Sequence, residues 1–351
     1  MNINDIFKKC DAILLTSPHN LRYFSGFCGG EGYCLLGKNF KVIIVDSRYT
    51  VAAKEECLGF QVIEYMGGKL FDIINNILAE NAVKTLGFED RELSFSAYKT
   101  FSEKLSNMEL VSLGSDLDII RSVKTDAEIE LIKKAEEIGD IAYKNLIPLV
   151  KVGMTENELA AEIEYQMRRL GASGPSFSTI AISGKKTAMP HGIPSDKKIK
   201  AGDMITLDFG CVYNGYCSDM TRNLCMGEPT KKQREVYDIV LKAQLAGLSA
   251  IKAGVLGKDA DKAARDIINN AGYGENFGHS LGHGVGLMIH ELPNLSPRSE
   301  TVLLENTVVS CEPGIYIEGE FGVRIEDLVV VKKDGIINLT SSHKELVVCG
   351  V

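Results

Sequence analysis

Asp208 and Asp219 stand eleven residues apart in the stretch ITLDFGCVYNGYCSDMTRNL (205–224), embedded in runs of apolar and β-branched residues. Two such runs separated by Asn214-Gly215 predict a β-hairpin with a two-residue turn, yet Asp is depleted in strands. The turn pairs residues whose numbers sum to 429, so Asp208 faces Thr221 and Asp219 faces Gly210. Side chains alternate along a strand, which puts both carboxylates on one face as diagonal neighbours. Like charges that close on a half-buried surface repel unless a cation lies between them. A solvated hairpin is the competing reading; the apolar flanks favour a metal.

The oddity recurs in TVVSCEPGIYIEGEFGVRIEDLVVV (307–331), where each of two apolar runs carries an embedded carboxylate. A loop centred on Gly319 sets Glu312 opposite Glu326, whereas a two-residue turn at 318–319 would separate their faces. Arg324 shares the face of Glu326, and Asp327 points away, to a solvated or structural role. Imidazoles come from NFGHSLGHGVGLMIHELP (276–293), with His279, His283 and His290 within twelve positions of a chain that has six His. Glycines at 278, 282, 284 and 286 argue for extended chain that something approaches closely. In a strand His279 and His283 share a face, and His290 lies at odd separation from both. Pro190 and Pro194 hold His191 on a stiff loop just upstream of Asp208. A lone His is ordinarily a hydrogen-bonded structural residue; the clustering favours a site.

Residues 1 to about 115 alternate strands (12–16, 33–37, 41–46) with helical stretches (47–57, 69–80, 94–105), an α/β pattern. Beyond the boundary near 115–125, capping boxes at Thr125/Glu128, Thr155/Glu158 and Thr230/Gln233 announce helices, and a fourth spans 258–270. The chain has 351 residues, 45% hydrophobic and 25% charged, as in an ordinary two-domain globular protein. A net charge of −8 without a Lys/Arg run gives no footprint for nucleic acid. No apolar stretch approaches the length of a membrane span. The apolar core of MNINDIFKKCDAILLTSPHN is shorter than a signal peptide is expected to carry. The nine cysteines contain no CxxC pair and read as reduced packing residues, so a cytoplasmic location is expected.

Taken together, AMPHGIPSD, LDFGCVYNGYCSDMTR, HSLGHGVGL…HE, EPGIY and GVRIED resemble the pita-bread metallopeptidases, in particular the Xaa-Pro branch of prolidase and aminopeptidase P. AILLTSPHNLRYFSGF and VDSRYT extend the likeness through the N-terminal part. The resemblance implies a creatinase-like α/β N-terminal domain (1–120) and an α+β pita-bread (creatinase/aminopeptidase-like) catalytic domain (121–351). It implies two divalent metals, Mn²⁺ first among Co²⁺, Fe²⁺ and Zn²⁺, a choice the oxygen-rich donor set suits. Asp208 would hold one, His283 and Glu312 the other, with Asp219 and Glu326 bridging. Such metals make water nucleophilic near neutral pH. The family further implies proton shuttling by Glu312, substrate contacts from His191, His290 and Arg324, an outer position for His279, and a homodimer. Where the family often carries an acid, this chain has Met288.

The function implied is cleavage of Xaa-Pro bonds. The compact length favours a dipeptidase over an aminopeptidase acting on longer peptides. Methionine aminopeptidase generally lacks the N-terminal domain and the RIED arrangement, and creatinase lacks the metal set. A non-catalytic pita-bread binding module would have lost ligands, and all five stand here.

Overall fold

Apolar alternation in the first 121 residues builds a sheet covered on both faces. All of Ala12–Leu15 is buried. Ile13 and Leu15 pack with Cys34, Leu36, Ile43 and Val45, whereas Ala12 and Leu14 pack with Leu35, Val42 and Ile44. A strand buried on both faces needs helices on each side. Leu21 and Ala53, from helices Pro18–Ser25 and Thr50–Glu56, cover one face. Ile74, Ile77 and Phe101, from Leu70–Glu80 and Phe95–Lys104, cover the other. The six strands run in the spatial order Gln61–Glu64, Lys41–Val45, Tyr33–Gly37, Ala12–Leu15, Thr85–Phe88 and Glu109–Ser112. This computed structural model describes residues 1–350 and divides into two units, the first Met1–Arg121 and the second from Ser122 onward.

The second unit contains three helices whose capping boxes all form: Asp126–Leu146 and Glu156–Arg169 at its start, and Lys231–Ala250 after the first hairpin. A fourth, Gly257–Asn270, packs on the third. Both hairpins take the register that their turns dictate. Tyr213 pairs with Tyr216, Val212 with Cys217 and Asp208 with Thr221. Asn214 and Gly215 adopt φ of 45° and 81°, the left-handed pair that a two-residue turn demands. In the second hairpin, Ile317 pairs with Phe321 and Gly314 with Arg324, and the same register resumes at Cys311 with Asp327. Glu312 and Glu326 fall between these two ladders and face one another.

Parity decides what each strand shows to the helices. Ile205, Leu207 and Phe209 pack against Ile138, Ala142, Leu159 and Ile163, which turns Asp208 the other way. Val309 and Cys311 pack against Val240 and Ala243, which turns Ser310 and then Glu312 away from the helices. Two helix-backed β-layers thereby direct their acidic faces into one cavity. No described helix is long and apolar enough to cross a membrane.

Candidate metal centre

That cavity, of about 570 Å³, is lined by Asp208, Asp219, His283, Glu312 and Glu326 together with His191, His279, His290 and Arg324. One ligand atom each from Asp219, His283 and Glu326 lie within 4.8 Å of one another. His283 Nε2 stands 3.5 Å from both Asp219 Oδ2 and Glu312 Oε1. Its Nδ1 is 3.1 Å from the Gly284 carbonyl, and donating there leaves the Nε2 lone pair aimed at the carboxylates. Burial and neighbouring His290 lower the His283 pKa to about 4, so the ring is the neutral, ligating form at pH 7.

The carboxylates are held from behind. Thr221, opposite Asp208 in the hairpin, donates its hydroxyl to Glu326 Oε2 at 2.6 Å. The Ser310 hydroxyl donates to Glu312 Oε1 at 3.4 Å and accepts from the His283 N–H at 3.1 Å. The Asp219 N–H donates to buried Glu136 at 3.2 Å, and Glu136 in turn accepts from Thr340 at 2.6 Å. The glycines near His283 serve close approach: a Cβ on Gly282 would lie 2.0 Å from the Ser310 carbonyl oxygen.

Crowding that one guanidinium, Arg324, only partly offsets shows in the proton affinities. Burial, then Glu326 and Asp208, pushes Asp219 well above the carboxylate range. Burial, then Glu312 and Asp208, does the same to Glu326. Glu312 rises to about 8, chiefly through burial. Asp208 Oδ1 is buried with no donor from the protein. An orphaned carboxylate oxygen beside a nest of mutually destabilised acids is what a cation site looks like without its ion. Oxygen donors plus one imidazole fit a hard or borderline divalent metal. The thiols take no part, since burial pushes Cys211 and Cys217 up to about 12.

Arg324, expected to contact the substrate, lines the cavity and is also engaged by protein. It donates to Asp208 Oδ2 at 2.5 Å, to the Thr221 hydroxyl at 3.0 Å and to Tyr316 Oη at 2.7 Å. His279 sits behind it, 2.8 Å from the same Tyr316 hydroxyl. Tyr316 was not singled out from sequence; its even spacing from Gly314 and Glu312 along an extended strand was the available signal. His290, despite its odd separation, brings its ring to 4.4 Å from that of His283, because the chain reverses between Gly284 and Glu291. His191 lies on the rim and is exposed. Asp327 does point away, but it is fully buried rather than solvated, taking Arg222, Asn338 and Lys344 at 2.6–2.8 Å. Phe177, Ile180, Pro190, Ile193, Pro194 and Ile289 give the cavity an apolar patch beside polar Ser178, Thr179, Ser280 and Asn294.

Known proteins share this architecture. The Xaa-Pro dipeptidase of Pyrococcus furiosus is 43% identical over 338 residues, covering 96% of this chain and 95% of that one. An X-Pro aminopeptidase structure from Thermotoga maritima superposes with a TM-score of 0.93 at 41% identity, covering 99% of this chain and all of that one. An Xaa-Pro dipeptidase structure from Bacillus anthracis gives 0.95 at 42% identity, over 98% and 97% of the two chains. Residues 7–123 match the creatinase/prolidase N-terminal domain. Residues 130–333, more than half of the chain and all of the acidic cluster, match the family model, and the chain belongs to metallopeptidase family M24.

Proposed function

We propose that this chain is an Xaa-Pro dipeptidase working with two divalent cations, Mn²⁺ first among them, held by Asp208, Asp219, His283, Glu312 and Glu326. The observation that carries the reading is the convergence of five donors, one an orphaned buried oxygen, on a cavity with an apolar patch. In this assignment residues 1–120 form the N-terminal domain and 121–351 the catalytic one. Relatives of similar identity named Xaa-Pro dipeptidase support the substrate class.

When bound, such cations supply Lewis-acid polarisation of a carbonyl and acidify water toward a pKa of about 7. The chain's own residues do the rest. Glu312, on the cavity side of its strand, accepts the proton of the attacking water and returns it to the leaving imino nitrogen. His290, beside His283, donates to the carbonyl oxygen as it turns negative, a role commonly worth about 10²–10³ in rate. His191, on the rim near His290, orients the peptide. Arg324 keeps Asp208 aimed and offsets the cluster's negative charge, with His279 and Tyr316 bracing it from behind. The apolar patch takes the proline ring and excludes water.

A second reading, an aminopeptidase on longer peptides, is favoured by the Thermotoga maritima structure, named X-Pro aminopeptidase, at nearly the same identity. Turnover of Ala-Pro against Ala-Pro-Ala after adding Mn²⁺ separates the two. Preference for Ala-Pro is expected; preference for the tripeptide supports the second reading, and activity indifferent to chelation refutes both. We place the enzyme in the cytoplasm as a homodimer.

A further inference from the structure

Directly after His290 comes an ion pair that takes no part in the chemistry described above. Glu291 and Lys124 meet at 2.7 Å with both side chains at most 2% exposed. Withdrawing two charges from water costs several kcal/mol per ion, and an apolar pair of similar volume is often as stable or more so. Such a pair therefore calls for a purpose other than stability.

Its surroundings supply one. Glu291 Oε2 accepts from Lys124 Nζ, while Oε1 accepts from the Met288 N–H at 3.2 Å, so the carboxylate ties off the turn that carries His290. The turn is built around that carboxylate: a Cβ on Gly286 would lie 2.5 Å from Glu291 Oε2. The lysine is itself fixed. Its backbone N–H donates to the Asn306 carbonyl at 2.9 Å, and Val123 bridges to Thr307. Thr307 leads directly into Val308–Cys311, the strand that precedes Glu312 and pairs with the His283 strand. His290 is largely exposed and its ring meets that of His283 edge-on at 4.4 Å, so its place depends on the turn that carries it.

We propose that Lys124 and Glu291 are positioning residues for His290. They lock the 286–290 turn to the frame that carries His283 and Glu312, and so set the distance between the imidazole and the reacting carbonyl. This rests on the reading of His290 as a group beside the substrate.

Three variants test it: Glu291→Gln, Lys124→Met, and Lys124→Met combined with Glu291→Leu, which replaces the charges with an apolar pair. Each is measured for kcat and KM on Ala-Pro with Mn²⁺ and for Tm. The ¹H–¹³C ring signal of His290 is recorded in the metal-free protein and assigned with His290→Asn. Both single variants are expected to lower kcat about a hundredfold, the scale of a 1 Å misplacement, with KM little changed, and to displace the His290 signal while sparing that of His279. The double variant recovers Tm but neither kcat nor the signal. Recovery of kcat along with Tm overturns the proposal, as do single variants whose His290 signal stays in place. Glu291→Gln preserves shape and carries the test if Lys124→Met does not fold. If the wild type fails to cleave Xaa-Pro peptides, the assigned function falls, and the ring signal still decides the positioning claim.

Discussion

Four carboxylates gathered around one imidazole are a liability until cations join them. Asp219 and Glu326 are pushed well above their ordinary proton affinities by burial and by neighbouring carboxylates, Glu326 and Asp208 for the first, Glu312 and Asp208 for the second. Glu326→Gln should therefore raise the Tm of the metal-free protein at pH 8 by about 2 °C or more, the change that roughly 1 kcal/mol produces in a chain of a few hundred residues, while lowering Ala-Pro turnover at least a hundredfold. A lower metal-free Tm would show that the cluster is not strained. The pH profile carries the same signature. Glu312 goes from the usual 4.5 to about 8 on folding, so the folded state binds more protons across that window, and this contribution to stability is lost as pH rises through 8. His279 and His283 fall from 6.5 to about 4, so they add stability as pH rises from 4 to 6.5 and nothing beyond. The trends oppose each other below 6.5, and above it the carboxyl effect remains unopposed. Calorimetry of the metal-free protein should show Tm declining from pH 6.5 to 8.5, a slope that saturating Mn²⁺ flattens. A flat metal-free profile would contradict the assigned cause.

Secondary-structure elements convert local sequence into that geometry. The first register is legible because a turn fixes a sum: Asn214-Gly215 dictates that Asp208 meet Thr221, whereas the second is open between two loop types in the sequence and is settled by Ile317 pairing with Phe321 around a loop centred on Gly319. Capping boxes at Thr125, Thr155 and Thr230 located three helix starts for the same reason, since their hydrogen bonds span only three residues. What escaped depends on tertiary reversals. Strand parity says nothing about His290, which follows a bend at Gly284. Arg324 meets Tyr316 across its own hairpin, a contact that register alone does not specify, and Asp327 is buried by Arg222 and Lys344 from separate segments as well as by Asn338. Helix Pro18–Ser25 is only eight residues long, and strand Glu109–Ser112 has exposed ends and is defined by its pairing with Thr85–Phe88. Gly282 offers a test at this scale. Gly282→Ala places a methyl against the Ser310 carbonyl oxygen, between the strands that carry His283 and Glu312. Urea denaturation should show a loss of about 1–3 kcal/mol, the usual cost of overpacking; an unchanged midpoint would mean that the strands separate without penalty.

At the scale of the whole molecule, a mixed sheet sandwiched by helices precedes a unit in which two helix-backed β-layers share one acidic cavity. The proposed homodimer predicts elution at twice the 38.3 kDa chain mass, and elution at the chain mass would refute it. The central claim is narrower: acids are tolerated in apolar β-structure here because paired divalent cations neutralise them. Crystals soaked in manganese and measured at its absorption edge address this most directly. The expected map has two anomalous peaks, one touched by Asp208, the other by His283 and Glu312, with Asp219 and Glu326 reaching both. No peak in the cavity, or peaks out of reach of these five side chains, would contradict the account.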